Sequence, residues 1–272
     1  MPFGEGTGQL TAQVRRLAAF DGHDLLDLLY DLTVQVLAFL PVDAAGVTLL
    51  IDTTGPVPVA ASDERCWRLL TAEHDLGEGQ TIDSAPGHSP RTHTPPNGNS
   101  FPVLTSLAPD SPGAQRWPYF ADQARQEGVR EPPPSCWDQH ERRLAVLTLH
   151  TAKPRPFTTY DTAPARLLAD ACTQAMLRRQ PDGRMPAWQR RTADNSIIIE
   201  QAKGVLAQRH GLHLDDATKQ LRRQALADNR TLTATATGIV RSTPHDPLAD
   251  RARDSVNGDC CRPPHKAVKT PC

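Results

Sequence analysis

The C-terminal stretch from Ile197 to Val240 has the sequence IIIEQAKGVLAQRHGLHLDDATKQLRRQALADNRTLTATATGIV. Its apolar residues recur every three or four positions, which is the spacing of one helix face. Gly211 and the polar run Asp228–Arg230 interrupt this pattern, as glycine and turn residues do at helix ends. We therefore predict a compact bundle of three helices, of which the first is Ala187–Arg209 and the second begins at Asp215.

The same stretch resembles the ANTAR domain of bacterial antitermination regulators over about residues 190–241, in the family's order and without gaps. The matching residues are Ile199–Leu206, Arg209–Leu212, Asp215–Ala217, Leu221–Arg223, Asn229, Leu232, Ala236 and Ile239–Val240. The resemblance implies that residues 179–240 bind paired RNA hairpins, so that a terminator hairpin cannot form. It also implies a homodimer, for which the long helices Thr159–Leu177 and Ala187–Arg209 offer a parallel seam.

The predicted RNA contacts are six polar residues of this motif: Lys203, Arg209, Arg222, Arg223, Asn229 and Arg230. Residues 184–241 hold ten Lys and Arg against five Asp and Glu, although the whole chain has a formal net charge of −1. A locally basic helix face suits phosphate contacts, and structured RNA is recognised at loops whose bases are splayed out. We expect Lys203, Arg222 and Arg223 to project from the polar side of the bundle.

The predicted structural motif of the bundle consists of five mostly small residues: Ala202, Gly204, Ala217, Leu221 and Ala236. A mid-helix glycine costs about 1 kcal/mol relative to alanine, so we expect a close contact at Gly204 that offsets this cost. Four threonines depart from the family pattern, in which apolar or charged residues are usual: Thr218, Thr231, Thr233 and Thr235. We expect them to weaken the packing of the second and third helices and to remove RNA contacts.

The preceding residues 9–178 alternate between helical and strand patterns. Helical spacing is found over residues 9–40 and at Glu64–His74, Arg116–Gly128 and Thr159–Leu177. The β-rich runs are Ala45–Ile51, Val57–Ala61 and Arg143–Thr151. The predicted fold class is therefore α+β, with a sheet-and-helix domain followed by the three-helix bundle.

This first domain resembles the GAF sensory domains that precede ANTAR domains in actinobacterial proteins. The matching pieces are Ala45–Ile51, Asp75–Gly79, Arg116–Phe120 and Arg143–Leu149. Two irregular stretches depart from that pattern: residues 84–115, where only Phe101–Leu104 suggests a strand, and the proline-containing residues 131–139, which predict the loss of a central strand. Both lie where a GAF pocket is walled. The ligand of the domain is therefore unknown, and a sensor without ligand, a dimerisation domain and a damaged sensor remain open.

Composition narrows the function further. No apolar run approaches the roughly 20 residues that cross a bilayer, and Met1–Leu10 does not resemble a signal peptide, so we predict a cytoplasmic protein without membrane contact. The polar tail 241–272 is predicted to be disordered. No catalytic set of residues is apparent, and Cys260–Cys261 with His265 lack a structured context for a metal. We expect no enzyme activity, no cofactor and no metal.

Two other functions remain compatible with this sequence. In the first, the second and third helices dock on duplex DNA as a helix-turn-helix, although Thr231–Val240 carries no positive charge. In the second, the chain is a dimeric interaction module that binds no nucleic acid, and its basic face is merely solvated. Asn229 is then a turn residue, and Arg209 complements a helix C-terminus.

Overall fold

The computed structural model describes residues 3–21, 24–51, 55–83, 85, 107–129, 144–151, 159–178 and 187–243. In chain order its elements are α1 (Phe3–Ala18), α2 (Leu25–Phe39), β1 (Ala44–Ile51), β2 (Gly55–Ala61), α3 (Glu64–Leu76), α4 (Gln80–Asp83), α5 (Pro112–Arg116), α6 (Pro118–Gln126), β3 (Ala145–His150), α7 (Thr159–Leu177), α8 (Ala187–His210), α9 (Leu214–Ala227) and α10 (Leu232–Arg241). The α+β fold class is confirmed. The predicted strand Phe101–Leu104, residues 131–139 and the tail beyond Thr243 lie outside the described residues.

Side-chain caps fix where the helices of the first domain begin. The carboxylate of Asp24 accepts from the backbone N–H of Leu26 at 3.1 Å and caps α2. Asp63 caps α3 in the same way, through the N–H of Cys66 at 2.8 Å. These caps place α2 and α3 in defined registers against the sheet and against the C-terminal helices.

One helix directly precedes residues 84–115, which we expected to be irregular, and a second helix begins inside them. The short helix α4 follows Gly79 directly, and its residues Gln80, Thr81 and Ile82 are buried. Helix α5 begins inside residues 84–115, because Ser111 caps it and Pro112 provides the fixed φ that suits a first helical position. The prediction of an irregular segment over all of residues 84–115 was therefore wrong at its C-terminal end.

The described strands form one antiparallel sheet in the order β2-β1-β3. In the register of β1 with β3, Val47 pairs with Leu147 and Gly46 pairs with Thr148. The edge strand β2 contains Pro56 and Pro58. Proline has no N–H to donate to a neighbouring strand, and an edge strand tolerates this loss because it has a neighbour on one side only. As in any β-strand, successive side chains point to opposite faces of the sheet, so residues two positions apart share a face.

One apolar core runs without interruption from the sheet into the C-terminal helices. Val47, Leu49 and Leu147 share a face that is covered by α2 and by the first half of α8, and α1 and α7 pack beyond α2. The same core continues through Leu206 of α8 to Leu221 of α9. No described helix combines the length and the apolar content that a membrane crossing needs.

Candidate nucleic-acid interface

The three C-terminal helices form the predicted bundle, with α8 packing against both α9 and α10. Four members of the predicted structural motif are fully buried: Ala202, Ala217, Leu221 and Ala236. Gly211 has φ 61° and ends α8 in the left-handed conformation that glycine adopts without a steric penalty. The bundle is thus held together by small residues where its helices cross.

The expected close contact at Gly204 is not found. The residue is exposed, and a Cβ atom added there would meet no other atom within 4 Å. Gly204 points away from α9 and α10 because it lies on the opposite side of α8 from the buried Ile199, Ala202 and Leu206. No contact with a described residue therefore offsets the helical cost of this glycine.

Three of the four unusual threonines form hydrogen bonds within their own helices. Thr231 caps α10 by accepting from the N–H of Ala234 at 3.1 Å. Thr235 is buried, but its hydroxyl donates to the carbonyl of Thr231 at 3.0 Å, and Thr218 donates to the carbonyl of Leu214 at 2.9 Å. The hydroxyl of Thr233 is buried and has no hydrogen-bond partner among the residues that the structure describes. The hydroxyl groups of Thr218, Thr231 and Thr235 are thus paired, and the expected weakening of the bundle stays a prediction.

Lys203 does not project from the polar side of the bundle, so this expectation was wrong. Its side chain is only 5% exposed and its ammonium lies 2.6 Å from a carboxylate oxygen of Glu200 and 3.3 Å from one of Glu64. The ammonium also lies 5.6 Å from the centre of the Trp67 ring, within the range of a cation–π contact. The physical reason is that Lys203 lies on the buried face of α8, four residues after Ile199, where α3 covers it.

Arg222 projects from α9 toward the first domain and is partly covered. Its guanidinium lies 3.2 Å from a carboxylate oxygen of Asp31 in α2 and 6.0 Å from the centre of the Tyr30 ring. The other carboxylate oxygen of Asp31 lies 3.1 Å from the guanidinium of Arg16 in α1. Arg222 is therefore the link between the candidate interface and the helices that pack on the sheet.

Arg223 and Arg230 are exposed and form no ion pair with a described residue. Together with Arg222 they line a groove of about 330 Å³ between α2 and the α9–α10 turn, and Asp27, Tyr30 and Asp31 form its opposite wall. The guanidinium of Arg230 donates to the carbonyl of Ala234 at 3.3 Å. The structure thus brings three of the six predicted contact residues together.

The other two predicted contacts lie apart from this groove or have a local role. Arg209, at the end of α8, donates to the hydroxyl groups of Ser242 and Thr243 at 3.4 and 3.1 Å. Asn229 is exposed at φ 50° in the turn before α10, a conformation that asparagine tolerates better than most residues. A turn role explains Asn229 without reference to any ligand.

Sequence reasoning missed the acidic residues that face this interface. Asp27 accepts from the N–H of Leu232, the first residue of α10, at 2.9 Å. Burial is the main reason why the pKa of Asp27 rises to about 6. A signal was present, because Asp24, Asp27 and Asp31 recur at helical spacing and form an acidic stripe on the otherwise apolar α2.

Glu200 has no such acidic neighbours in sequence, but it shares the buried environment of Lys203. Burial raises the pKa of Glu200, and the adjacent ammonium opposes that rise. Burial, followed by the charge of Glu200, also raises the pKa of the Tyr30 hydroxyl. The described residues contain no group of three His, Cys, Asp or Glu side chains that could hold a metal. The chemistry of this region is therefore charge pairing.

A sequence model of the ANTAR domain family matches residues 189–240. No curated protein sequence matches the chain. Bacteriophytochrome RpBphP3 from R. palustris aligns with a TM-score of 0.44 and 12% identity over 94% of this chain and 54% of that one. SdiA in complex with octanoyl-rac-glycerol has a TM-score of 0.44 and 12% identity over 87% of this chain and 95% of that one.

The photosensory core of the Stigmatella aurantiaca phytochrome has a TM-score of 0.43 and 13% identity, over 82% of this chain and 45% of that one. The chain thus spans about half the length of the two phytochromes. Similarity at this level does not establish a shared fold. The match of residues 189–240 does coincide with the bundle that holds the groove arginines. The helices α8 to α10 are therefore the part of this chain that matches the ANTAR domain family.

Proposed function

We propose that this protein is a regulator of transcription antitermination whose C-terminal bundle binds RNA hairpins. The observation that carries this proposal is the position of Arg222, Arg223 and Arg230 along one groove of the ANTAR domain. Guanidinium groups bind phosphates through paired hydrogen bonds and also stack on exposed bases. Such a row suits the folded backbone and open loop of an RNA hairpin.

Binding of this kind acts on transcription through competition between RNA structures. A protein that stabilises two adjacent hairpins withholds their strands from an alternative terminator hairpin, so that the polymerase continues. No bond is made or broken in this process, and we assign no catalytic activity and no cofactor to the chain. In this proposal the RNA that the bundle binds is the leader of a transcript, and the protein acts in the cytoplasm.

Titration of the full chain with RNA tests the proposal. A two-hairpin RNA, a single-stranded RNA and a duplex DNA of similar length are added at several salt concentrations. We expect the hairpin RNA to bind at least tenfold more tightly than the others, with an affinity that falls as salt rises. Duplex DNA as the preferred ligand would support the helix-turn-helix alternative, and equal weak binding to every polyanion would leave only the interaction module.

Arg223→Ala and Lys219→Ala are a matched pair of variants for this titration. Both residues are exposed on α9 and both changes remove one positive charge. The ammonium of Lys219 is already paired with Asp216 at 3.0 Å, whereas Arg223 has no ion pair with a described residue. We expect R223A to weaken hairpin binding about tenfold and to lower the salt dependence by about one phosphate contact, and K219A to change neither.

We further propose that the first domain is a GAF-like sensor that responds to a small molecule. Both ring nitrogens of His150 and the hydroxyl of Thr48 are buried without a hydrogen-bond partner among the described residues, on the sheet face opposite α2. Buried polar groups are normally paired, so a ligand with polar atoms would satisfy them. A thermal-shift screen of the full chain tests this, because a ligand that binds the folded state raises the melting temperature.

The same chain is proposed to form a homodimer through the outward face of α8. Ile197 is 58% exposed there, and Gln201, Gly204 and Gln208 continue an uncharged stripe along the helix. Gly204 leaves room for a second helix to approach. Sedimentation at micromolar concentration should show a dimer that Ile197→Glu dissociates. A monomeric wild-type chain would contradict this assignment without affecting RNA binding by the single bundle.

A further inference from the structure

Two ANTAR cations are satisfied by carboxylates from outside the bundle. Arg222 pairs with Asp31 of α2, and Lys203 pairs with Glu64 of α3. Resting on the proposed RNA binding, we propose that the face formed by α2 and α3 is an intramolecular competitor of RNA, which holds the bundle in a masked state. Carboxylate and phosphate oxygens compete for the same guanidinium and ammonium donors, so one cation cannot serve both fully.

Helix capping across the junction strengthens this contact. The first N–H of α10, at Leu232, donates to Asp27 of α2 at 2.9 Å. In the opposite direction, the first N–H of α3, at Glu64, donates to Asp215 of α9 at 2.7 Å. The first N–H groups of a helix have no partner inside that helix. Each part of the chain therefore completes a helix end of the other.

The charge of the groove explains why the mask excludes RNA. Asp27 and Asp31 line the wall that faces Arg222, Arg223 and Arg230. A phosphate that entered this groove would lie close to both acidic residues, and this repulsion opposes the attraction of the arginines. RNA is expected to gain full access only when α2 withdraws from the α9–α10 turn.

The α2 side of the junction is also weak enough to open, whereas the pair of Lys203 and Glu64 at α3 is more buried, with side chains 5% and 16% exposed. The side chain of Asp31 is 40% exposed and that of Arg222 is 29% exposed, and ion pairs at such solvated positions contribute little each. The apolar continuity through α8 holds the bundle on the sheet while the charged contacts break. A displacement of α2 by the first domain thus moves the chain between masked and open states.

Removal of the masking carboxylates in the full chain tests the proposal. Asp31→Asn, alone and together with Glu64→Gln, removes negative charge but keeps the shape of each side chain. The control is Asp122→Asn with Asp170→Asn, which adds the same charge at exposed positions of α6 and α7. We expect the double variant to bind the two-hairpin RNA about tenfold more tightly than the control, with a salt dependence steeper by about one contact.

Hydrogen exchange in the wild-type chain gives a second measurement, which does not depend on a folded variant. The amides of Leu232 and Glu64 are protected by carboxylates across the junction, so saturating RNA should accelerate exchange at both. Tight RNA binding with both amides still protected, or with equal affinities for variant and control, overturns the mask but leaves the proposed function intact. Failure of every protein to bind RNA overturns the proposed function, and the mask with it.

Discussion

The two faces of the sheet differ in a way that the strand sequences alone do not suggest. The face toward α2 and α8 is wholly apolar and belongs to the core that continues into the ANTAR bundle. The opposite face, toward α3 and α4, breaks into small apolar clusters with Thr48, Thr148 and His150 between them. The buried carboxyl of Glu73 in α3 lies here and accepts from the hydroxyl of Thr81.

Because of this difference, we expect the apolar face to determine the stability of the fold and the polar face to respond to pH and to ligands. Apolar burial is favourable under all ordinary conditions, so the first face joins the two parts of the chain permanently. Buried polar groups have a cost that depends on pH and on hydrogen-bond partners, so the second face can respond to what surrounds it. The two faces should therefore react in opposite directions when their side chains are simplified.

The largest expected effect is on the apolar face. Leu49→Ala removes a fully buried side chain and leaves a cavity, and we expect it to lower the free energy of unfolding by about 2–5 kcal/mol. Urea denaturation measures this loss. Leu167→Ala, at a half-exposed position of α7, is the control and should cost far less.

The next effect concerns Glu73, whose pKa burial raises to about 7 from its usual value near 4.5. A carboxyl whose folded pKa is raised stabilises the fold at low pH, and this contribution is lost as pH rises through about 7. Relative to the wild type, we expect the free energy of unfolding of Glu73→Gln to rise by on the order of 2–3 kcal/mol as the pH is raised from 4.5 to 8. Parallel pH profiles of the two proteins would contradict this.

His150 should give the reverse dependence. Burial lowers its pKa to about 4, so the unfolded chain binds a proton more readily, and stability is lost as pH falls from about 6.5 to 4. We expect His150→Phe to reduce this loss in the free energy of unfolding at low pH by on the order of 2 kcal/mol. Thermal unfolding of both proteins at pH 7 and pH 4.5 compares the slopes, and an unchanged loss at low pH would place the acid-sensitive group elsewhere.

The smallest effect is expected for Thr48→Val. The hydroxyl of Thr48 is buried and has no partner in the part of the chain that the structure describes, so its replacement by a methyl group should stabilise the fold by about 1 kcal/mol. Unfolding in urea without ligand measures this gain. If a small molecule uses that hydroxyl, the same variant should also lose part of the thermal shift that the molecule induces.

The helices of the bundle could be predicted because their signals are local. The apolar period, Gly211 and the turn Asp228–Arg230 delimit α8, α9 and α10 to within one or two residues of the structure. The position of Lys203 could have been predicted too, since it lies between Ile199 and Leu206 on one helix face. Its place in the motif predicted an exposed charge, whereas its spacing indicated a position on the buried face of α8.

What could not be predicted depends on contacts between distant parts of the chain. Asp31 and Arg222 are 191 positions apart, and Glu64 and Lys203 are 139 apart. The periodicity of a single sequence does not indicate which helices pack against each other. The acidic stripe of α2 was visible as a pattern, but its meaning arises only when α9 and α10 pack beside it.

The continuity of α8 limits how this protein can be rearranged. Its 24 residues span about 36 Å, and the first half lies on the sheet while the second half belongs to the bundle. Gln189 even donates from α8 to the carbonyl of Leu50 in β1 at 3.4 Å. An engineer who transplants the ANTAR helices onto another sensor at residue 187 would carry over a surface shaped for this sheet. A fusion point near Ile197, at the middle of the helix, would keep each half with the partner it was selected to fit.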